Sequence, residues 1–115
     1  MLAHGAVLRK NFFSADQLVA IVKDFRNADL APEEVALMSF AQKVTIHAHQ
    51  VSEDDMSELR GFGLSDEEIM NVVLVCTARN FFSKTLDALD TTPDEVYLDL
   101  EPELRQALTL GRPFA

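Results

Sequence analysis

The segment from Ile69 to Leu86 constrains the fold most, because its apolar residues cover nearly every side of a helix. These residues are Ile69, Met70, Val72, Val73, Leu74, Val75, Cys76, Ala78, Phe81, Phe82 and Leu86. A helix that is apolar all round must be buried on nearly all sides. It is therefore either a central core helix or a helix that also packs against another subunit. We favour a mixture of the two, with self-association.

Length and composition indicate one folded domain. The chain has 115 residues, 48% of them apolar, with only four glycines and four prolines. This length is close to the commonest domain size, and the composition is typical of a compact helical protein. We expect a single domain over residues 1–115.

The charge of the chain argues against two classes of partner. It is −9, from 19 acidic and 10 basic residues, and the basic residues form no stripe. Nucleic acids and anionic membranes are therefore not expected partners. No run reaches the roughly 18 apolar residues of a membrane span, and the N-terminus does not resemble a signal peptide. These features predict a cytoplasmic protein.

Capping signals divide the first half of the chain into helices. Ser14 and Gln17 form a capping box that opens a helix to about Asn27. Pro32 suits the first turn of a second helix, which we expect to reach about His47. The apolar stripe of the first helix is Leu18, Ile21, Val22 and Phe25, and the buried face expected for the second is Val35, Met38, Ala41 and Val44.

A tight corner is predicted between the next two helices. Ser52 starts a short acidic helix, Glu53 to Phe62, which Gly63 would end in the left-handed conformation while Leu64 folds back on Leu59. A second capping box, Ser65 to Glu68, follows at once.

The C-terminal part is less regular. Tyr97 to Leu100 is ambiguous, Pro102 to Leu110 is expected to be a short last helix, and Gly111-Arg112-Pro113 would end it. The fold class predicted for the whole chain is all-α, with about five or six helices.

Two groups of residues are candidates for chemical sites, and a structural role is favoured for both. Cys76 is the single cysteine and lies in an apolar run, where burial would raise its pKa and make the thiol inert. His47 and His49 diverge by about 200° on a helix, so we expect exposed or capping groups rather than metal ligands. No metal or cofactor is expected.

Several stretches of the chain resemble the alkylhydroperoxidase D-like, carboxymuconolactone decarboxylase family, and in particular its peroxidase-related branch. The matching stretches are Ala28–Glu34, Ala36–Leu37, Phe40–Thr45, Val51–Asp55, Glu58–Arg60, Gly63–Ile69 and Asn80–Phe82. The resemblance implies an all-α fold, a homo-oligomer from dimer to hexamer, and a small hydroperoxide or carboxylate as ligand.

This chain contains only the last two residues of that family's redox motif. The motif is C-x-x-C-x-x-x-H-G, and His4-Gly5 matches its last two positions, while the second cysteine would fall one residue before Met1. The resemblance implies that His4 is a catalytic proton-relay residue. Peroxide reduction by this route needs two thiols, so we expect no dithiol peroxidase activity from the chain as it stands.

Two origins and three functions follow as hypotheses. The chain is either a truncated form of a longer C-x-x-C protein, which we favour, or a short paralogue without the redox chemistry. The leading function is that of an antioxidant-family protein whose cysteine pair is absent. The alternatives are a cofactor-free decarboxylase or isomerase that uses His4 or a carboxylate as base, and a non-enzymatic oligomeric helical module.

Overall fold

The computed structural model describes residues 1–111, and all regular secondary structure within them is helical. The α-helices are α1 (Leu2–Asn11), α2 (Ala15–Asp24), α3 (Pro32–His47), α4 (Glu53–Gly61), α5 (Asp66–Ala88) and α6 (Pro102–Leu108). Short 3-10 segments lie at Phe25–Asn27, Ala48–Gln50 and Glu95–Asp99, and no strand occurs in residues 1–111. The prediction of an all-α fold with five or six helices is confirmed.

These helices group into two compact units. Within the described residues, the first contains residues 1–30 together with residues 92–111, and the second contains residues 31–91. The first unit therefore holds α1, α2 and α6, while the second holds α3, α4 and α5. That residues 1–115 make a single domain stays a prediction.

The first unit is built around the contact between α2 and α6. Its buried residues are Leu2, Leu18, Val19, Leu104 and Leu108. A salt bridge across this unit joins Arg9 of α1 to Glu101, with 2.6 Å between Nη2 of Arg9 and Oε1 of Glu101. The predicted stripe of α2 is thus partly correct, since Leu18 is buried and Val22 packs against the same cluster.

The second unit buries a different face of α3 from the one predicted. Its core consists of Ala36, Phe40, Val44, Leu59 and Ile69. Of the predicted face of α3, only Val44 is buried, and Met38 is exposed. The prediction was wrong because α3 carries apolar residues on two sides, and periodicity alone does not decide which side faces α4 and α5.

The helix starts are the local features that the sequence predicts best. The backbone N–H of Ser14 donates to Oε1 of Gln17 at 3.0 Å, and the N–H of Gln17 donates to Oγ of Ser14 at 3.2 Å. The same reciprocal pair joins Ser65 and Glu68, at 2.7 and 3.1 Å. Both capping boxes are therefore confirmed, because their hydrogen bonds involve residues only three positions apart.

The corner between α4 and α5 is also confirmed. Gly63 has a φ of +95°. Its N–H donates to the carbonyl of Arg60 at 2.9 Å, and the N–H of Leu64 donates to the carbonyl of Leu59 at 3.3 Å. These are the two hydrogen bonds of a Schellman ending, and Leu64 packs against the core cluster that contains Leu59.

The end of α5 repeats this geometry without a glycine. Asp90 has a φ of +57°. Its N–H donates to the carbonyl of Asp87, and the N–H of Thr91 donates to that of Leu86, both at 3.1 Å. A non-glycine residue accepts this conformation at some cost, and aspartate is one of the residues that tolerate it best.

The remaining segments are shorter than predicted. The helix that opens at Ala15 is α-helical to Asp24 and then tightens into a 3-10 turn. The ambiguous segment around Tyr97 is a 3-10 helix, and α6 ends at Leu108 rather than Leu110. Arg112 and Pro113, which were expected to end it, lie outside the described residues.

None of the helices in residues 1–111 combines the length and the apolarity that crossing a bilayer requires.

We predict that Gly63→Ala lowers the free energy of unfolding by about 1 kcal/mol, because an L-residue pays for the left-handed backbone that glycine adopts freely. An added Cβ at Gly63 meets nothing within 4 Å, so backbone conformation alone is tested. Urea denaturation followed by circular dichroism measures the change.

Gly61→Ala is the matched control. Gly61 is the last residue of α4, and its added Cβ also meets nothing within 4 Å. Since alanine favours a helix, this change should be neutral or stabilise by up to about 1 kcal/mol. Equal losses at both positions would contradict the assignment of Gly63 as the conformational terminator.

Candidate functional site

The inward side of α5 packs against the core of the second unit. Ile69 is buried there, and Val72, Val73 and Cys76 are half-buried against the same cluster. Asn80 lies on this side as well, where its Nδ2 donates to the carbonyl of Cys76 at 2.9 Å and to Oγ1 of Thr45 on α3 at 3.4 Å. One side of α5 is therefore held by both packing and hydrogen bonds.

The opposite side of α5 is apolar and exposed. Six large side chains there are each between 49% and 67% exposed: Met70, Leu74, Val75, Phe81, Phe82 and Leu86. Ile69 is the only fully buried residue of α5. The alternative of a central core helix is wrong, because α3 and α4 contact α5 from the inward side.

We call these six residues, together with Ala78, the outward face of α5. At 3.6 residues per turn they lie within an arc of about 160° centred on Ala78, and they extend along about 24 Å of the helix. The rings of Phe81 and Phe82 meet edge to face with 5.4 Å between their centroids. The outward face is thus a continuous apolar surface.

The charge of α5 differs from that of the chain. Between Ile69 and Leu86 there is no acidic residue, although the whole chain has 19, and the two charged residues are Arg79 and Lys84. The acidic residues of this helix are confined to its first turn and to Asp87 near its end. This distribution is a sequence signal for a contact surface in an acidic protein, and the sequence reasoning missed it.

Gly5 of the redox-like segment has a packing role in the structure. It is buried on α1, and an added Cβ would lie 2.9 Å from Cδ2 of Leu108 on α6 and closer still to Cδ1. A contact below 3.0 Å requires the end of the Leu108 side chain to move, and because that side chain is itself buried, glycine suits this position. The match of Gly5 to the family motif therefore has a structural explanation.

His4 and Cys76 belong to different units of the fold. His4 lies exposed on α1 in the first unit, whereas Cys76 belongs to the second unit. Burial raises the pKa of the Cys76 thiol, in the direction predicted from the sequence. A raised pKa lowers the fraction of thiolate at neutral pH and so disfavours nucleophilic attack on a peroxide.

His47 and His49 are not part of a metal-binding group within residues 1–111. His47 ends α3 and His49 lies in the 3-10 segment after it, both exposed, with their ring centroids 6.2 Å apart. No group of three or more histidine, cysteine, aspartate or glutamate side chains in residues 1–111 is arranged to hold a metal ion. Their role as exposed groups is as predicted.

Ion pairs in the second unit join α3 to α4 and α4 to α5. The ammonium group of Lys43 on α3 lies 2.7 Å from Oδ2 of Asp55 on α4 and, through that hydrogen bond above all, lowers the pKa of Asp55. Arg60 on α4 bonds to Asp66 and to Glu53, and these contacts raise its pKa. Each carboxylate is already paired, so these clusters stabilise the α3–α4–α5 arrangement rather than form a site.

The comparisons with known proteins add no family to this picture. No family model matches the chain, and no curated protein matches it. The resemblance to the alkylhydroperoxidase D-like family stays a prediction from the sequence. The outward face of α5 is accordingly the candidate functional site that the structure itself defines.

We predict that Gly5→Ala lowers the free energy of unfolding by up to about 2 kcal/mol, because overpacking against the buried Leu108 side chain, which costs about 1–3 kcal/mol, exceeds the roughly 1 kcal/mol that alanine gains over glycine within a helix. The same change made in a Leu108→Ala background should be neutral or stabilise by up to about 1 kcal/mol, since the clashing atoms are then gone. Urea denaturation of the four proteins of this cycle measures both values. An equal cost in both backgrounds would contradict the packing role of Gly5.

Proposed function

We propose that this chain is a self-associating helical module of the alkylhydroperoxidase D-like type that has no dithiol peroxidase activity. The observation that carries the proposal is the outward face of α5, where six large apolar side chains are each between 49% and 67% exposed. Apolar patches of this extent on soluble proteins mark interaction sites. A cytoplasmic location is part of the proposal and rests on the sequence alone.

The size of the outward face suits a protein interface. Since a fully exposed large apolar side chain presents on the order of 150–250 Å², the six residues expose roughly 500–850 Å² in each chain. A standard interface buries about 800 Å² on each partner. The outward face and its rim therefore provide close to the area that a stable pair of subunits needs.

The family part of the proposal is supported by the order of matching stretches along the chain. The corner at Gly63, followed by the capping box of Ser65 and Glu68, lies in one of these stretches. Cys76, with its raised pKa, is the only thiol, so the two electrons of a dithiol cannot come from this chain. The proposed module therefore keeps a helical scaffold without that chemistry.

Self-association is tested by light scattering after size exclusion, at micromolar protein concentration. We expect the mass of a dimer or a larger oligomer, and we expect Phe81→Lys to weaken association by about thirty-fold or more, because a buried aromatic anchor is replaced by an unpaired charge.

The matched control for this test is Ile46→Lys. Ile46 is an apolar residue of α3 that is 60% exposed and lies outside the outward face. Its substitution adds the same charge to the same unit, so the oligomer should persist. A monomeric mass for the unchanged chain would overturn the self-association proposal.

The missing activity is tested with hydrogen peroxide or an alkyl hydroperoxide and a dithiol reductant. We expect consumption of the reductant at the rate of the buffer alone, for the unchanged chain and for Cys76→Ala alike, because no second thiol can resolve a sulfenic acid. Thiol-dependent turnover well above that rate, in either protein, would contradict the proposal.

A further inference from the structure

We propose that two copies of this chain pair through the outward faces of their α5 helices, antiparallel, with Ala78 on the two-fold axis. This inference rests on the proposed self-association and adds the partner surface, the direction and the register. In a two-fold pair each surface meets its own copy, so the contact closes after two chains.

The shape of the outward face fits close packing of two helices. Small or medium residues recur every seven positions along its middle, at Asn71, Ala78 and Thr85. Larger residues flank them at the same interval, Leu74 with Phe81 on one side and Val75 with Phe82 on the other. A seven-residue repeat keeps the same line of contact facing a partner helix over several turns. Ala78, at the centre, lets the two backbones approach closely.

The volumes of these side chains favour the antiparallel direction. With Ala78 on the axis, residues equally distant before and after it face each other, so Leu74 lies beside the partner's Phe82 and Val75 beside the partner's Phe81. Each large ring then meets a smaller aliphatic group. A parallel pair would instead place four phenylalanine rings at one level, which overpacks that level and leaves the level of Leu74 and Val75 underfilled.

Electrostatics favour the same direction. Glu67, in the first turn of α5, lies on the same side of the helix as Ala78. A parallel pair would bring the two Glu67 carboxylates together, whereas the antiparallel register separates them by about 33 Å. The antiparallel pair also sets the positive end of each helix dipole beside the negative end of the other. Because Ile69 to Leu86 contains no acidic residue, two chains of charge −9 meet where neither carries negative charge.

The polar groups of the outward side are compatible with burial in such a pair. The hydroxyl of Thr85 donates to the carbonyl of Phe81 at 2.7 Å, and that of Thr77 donates to the carbonyl of Leu74 at 3.1 Å. Neither hydroxyl hydrogen loses its partner when water leaves the surface. The register also places Asn71 opposite the partner's Thr85, whose oxygen can accept a hydrogen bond from the amide.

The test uses single cysteines in the Cys76→Ala background, with mild oxidation and non-reducing electrophoresis. Ala78→Cys should form a disulfide-linked dimer with itself, because two facing Cα atoms on closely packed helices lie within disulfide reach. Asn71→Cys and Thr85→Cys should each fail alone, since identical residues there are about 21 Å apart along the axis. Mixing these two variants should produce the cross-linked heterodimer.

Two controls accompany the cross-linking test. Asp54→Cys, on the exposed first turn of α4, reports cross-linking by random collision and should stay uncrosslinked. Thermal unfolding followed by circular dichroism checks that each variant keeps the helical fold.

Three outcomes would overturn the inference, each in a distinguishable way. Self-cross-linking of Asn71→Cys and Thr85→Cys, as efficient as that of Ala78→Cys, would indicate a parallel pair. Absence of all these cross-links in a background that light scattering shows to be oligomeric would place the interface elsewhere, with self-association intact. A monomeric chain would overturn both proposals.

Discussion

The second unit depends on the one-sided burial of α5. The longest helix of the described chain packs its inward side, led by Ile69, against Ala36, Phe40 and Val44 of α3 and Leu59 of α4. Two helices can cover only part of a third, so an apolar helix of 23 residues retains a surface that its own unit does not bury. The interactions that hold α3 and α4 in place, including the Lys43–Asp55 and Arg60–Asp66 pairs, thereby decide which side of α5 remains available.

The two glycines that attract attention in the sequence act through different physical properties. Gly63 adopts a left-handed backbone conformation, and a Cβ added there would meet nothing within 4 Å. Gly5 fits because it has no side chain, since Leu108 occupies the space that a Cβ would need. A glycine beside a histidine in a motif-like position can therefore be required for helix packing. Only the position of the neighbouring helix reveals that role.

The candidate functional surface lies on α5, whereas the segment that resembles a redox motif lies on α1. The His4-Gly5 segment suggests redox chemistry through its resemblance, yet His4 and the single thiol belong to different units and that thiol has a raised pKa. The outward face of α5 instead combines apolar area, freedom from negative charge and a seven-residue repeat. Those are properties of a contact surface, and they are all present on one helix.

The local structure of this protein can be predicted from the amino-acid sequence: the all-α class, both capping boxes, the Schellman corner at Gly63 and the existence of an apolar helix after Ser65. Each depends on residues a few positions apart, whose hydrogen bonds and backbone preferences act within one turn. Three further features depend on contacts between helices: which side of α3 is buried, the packing of Gly5 against Leu108, and which half of α5 is exposed. Those outcomes depend on residues distant in the chain, and a helix that is apolar on several sides carries no preference among them until its neighbours are in place.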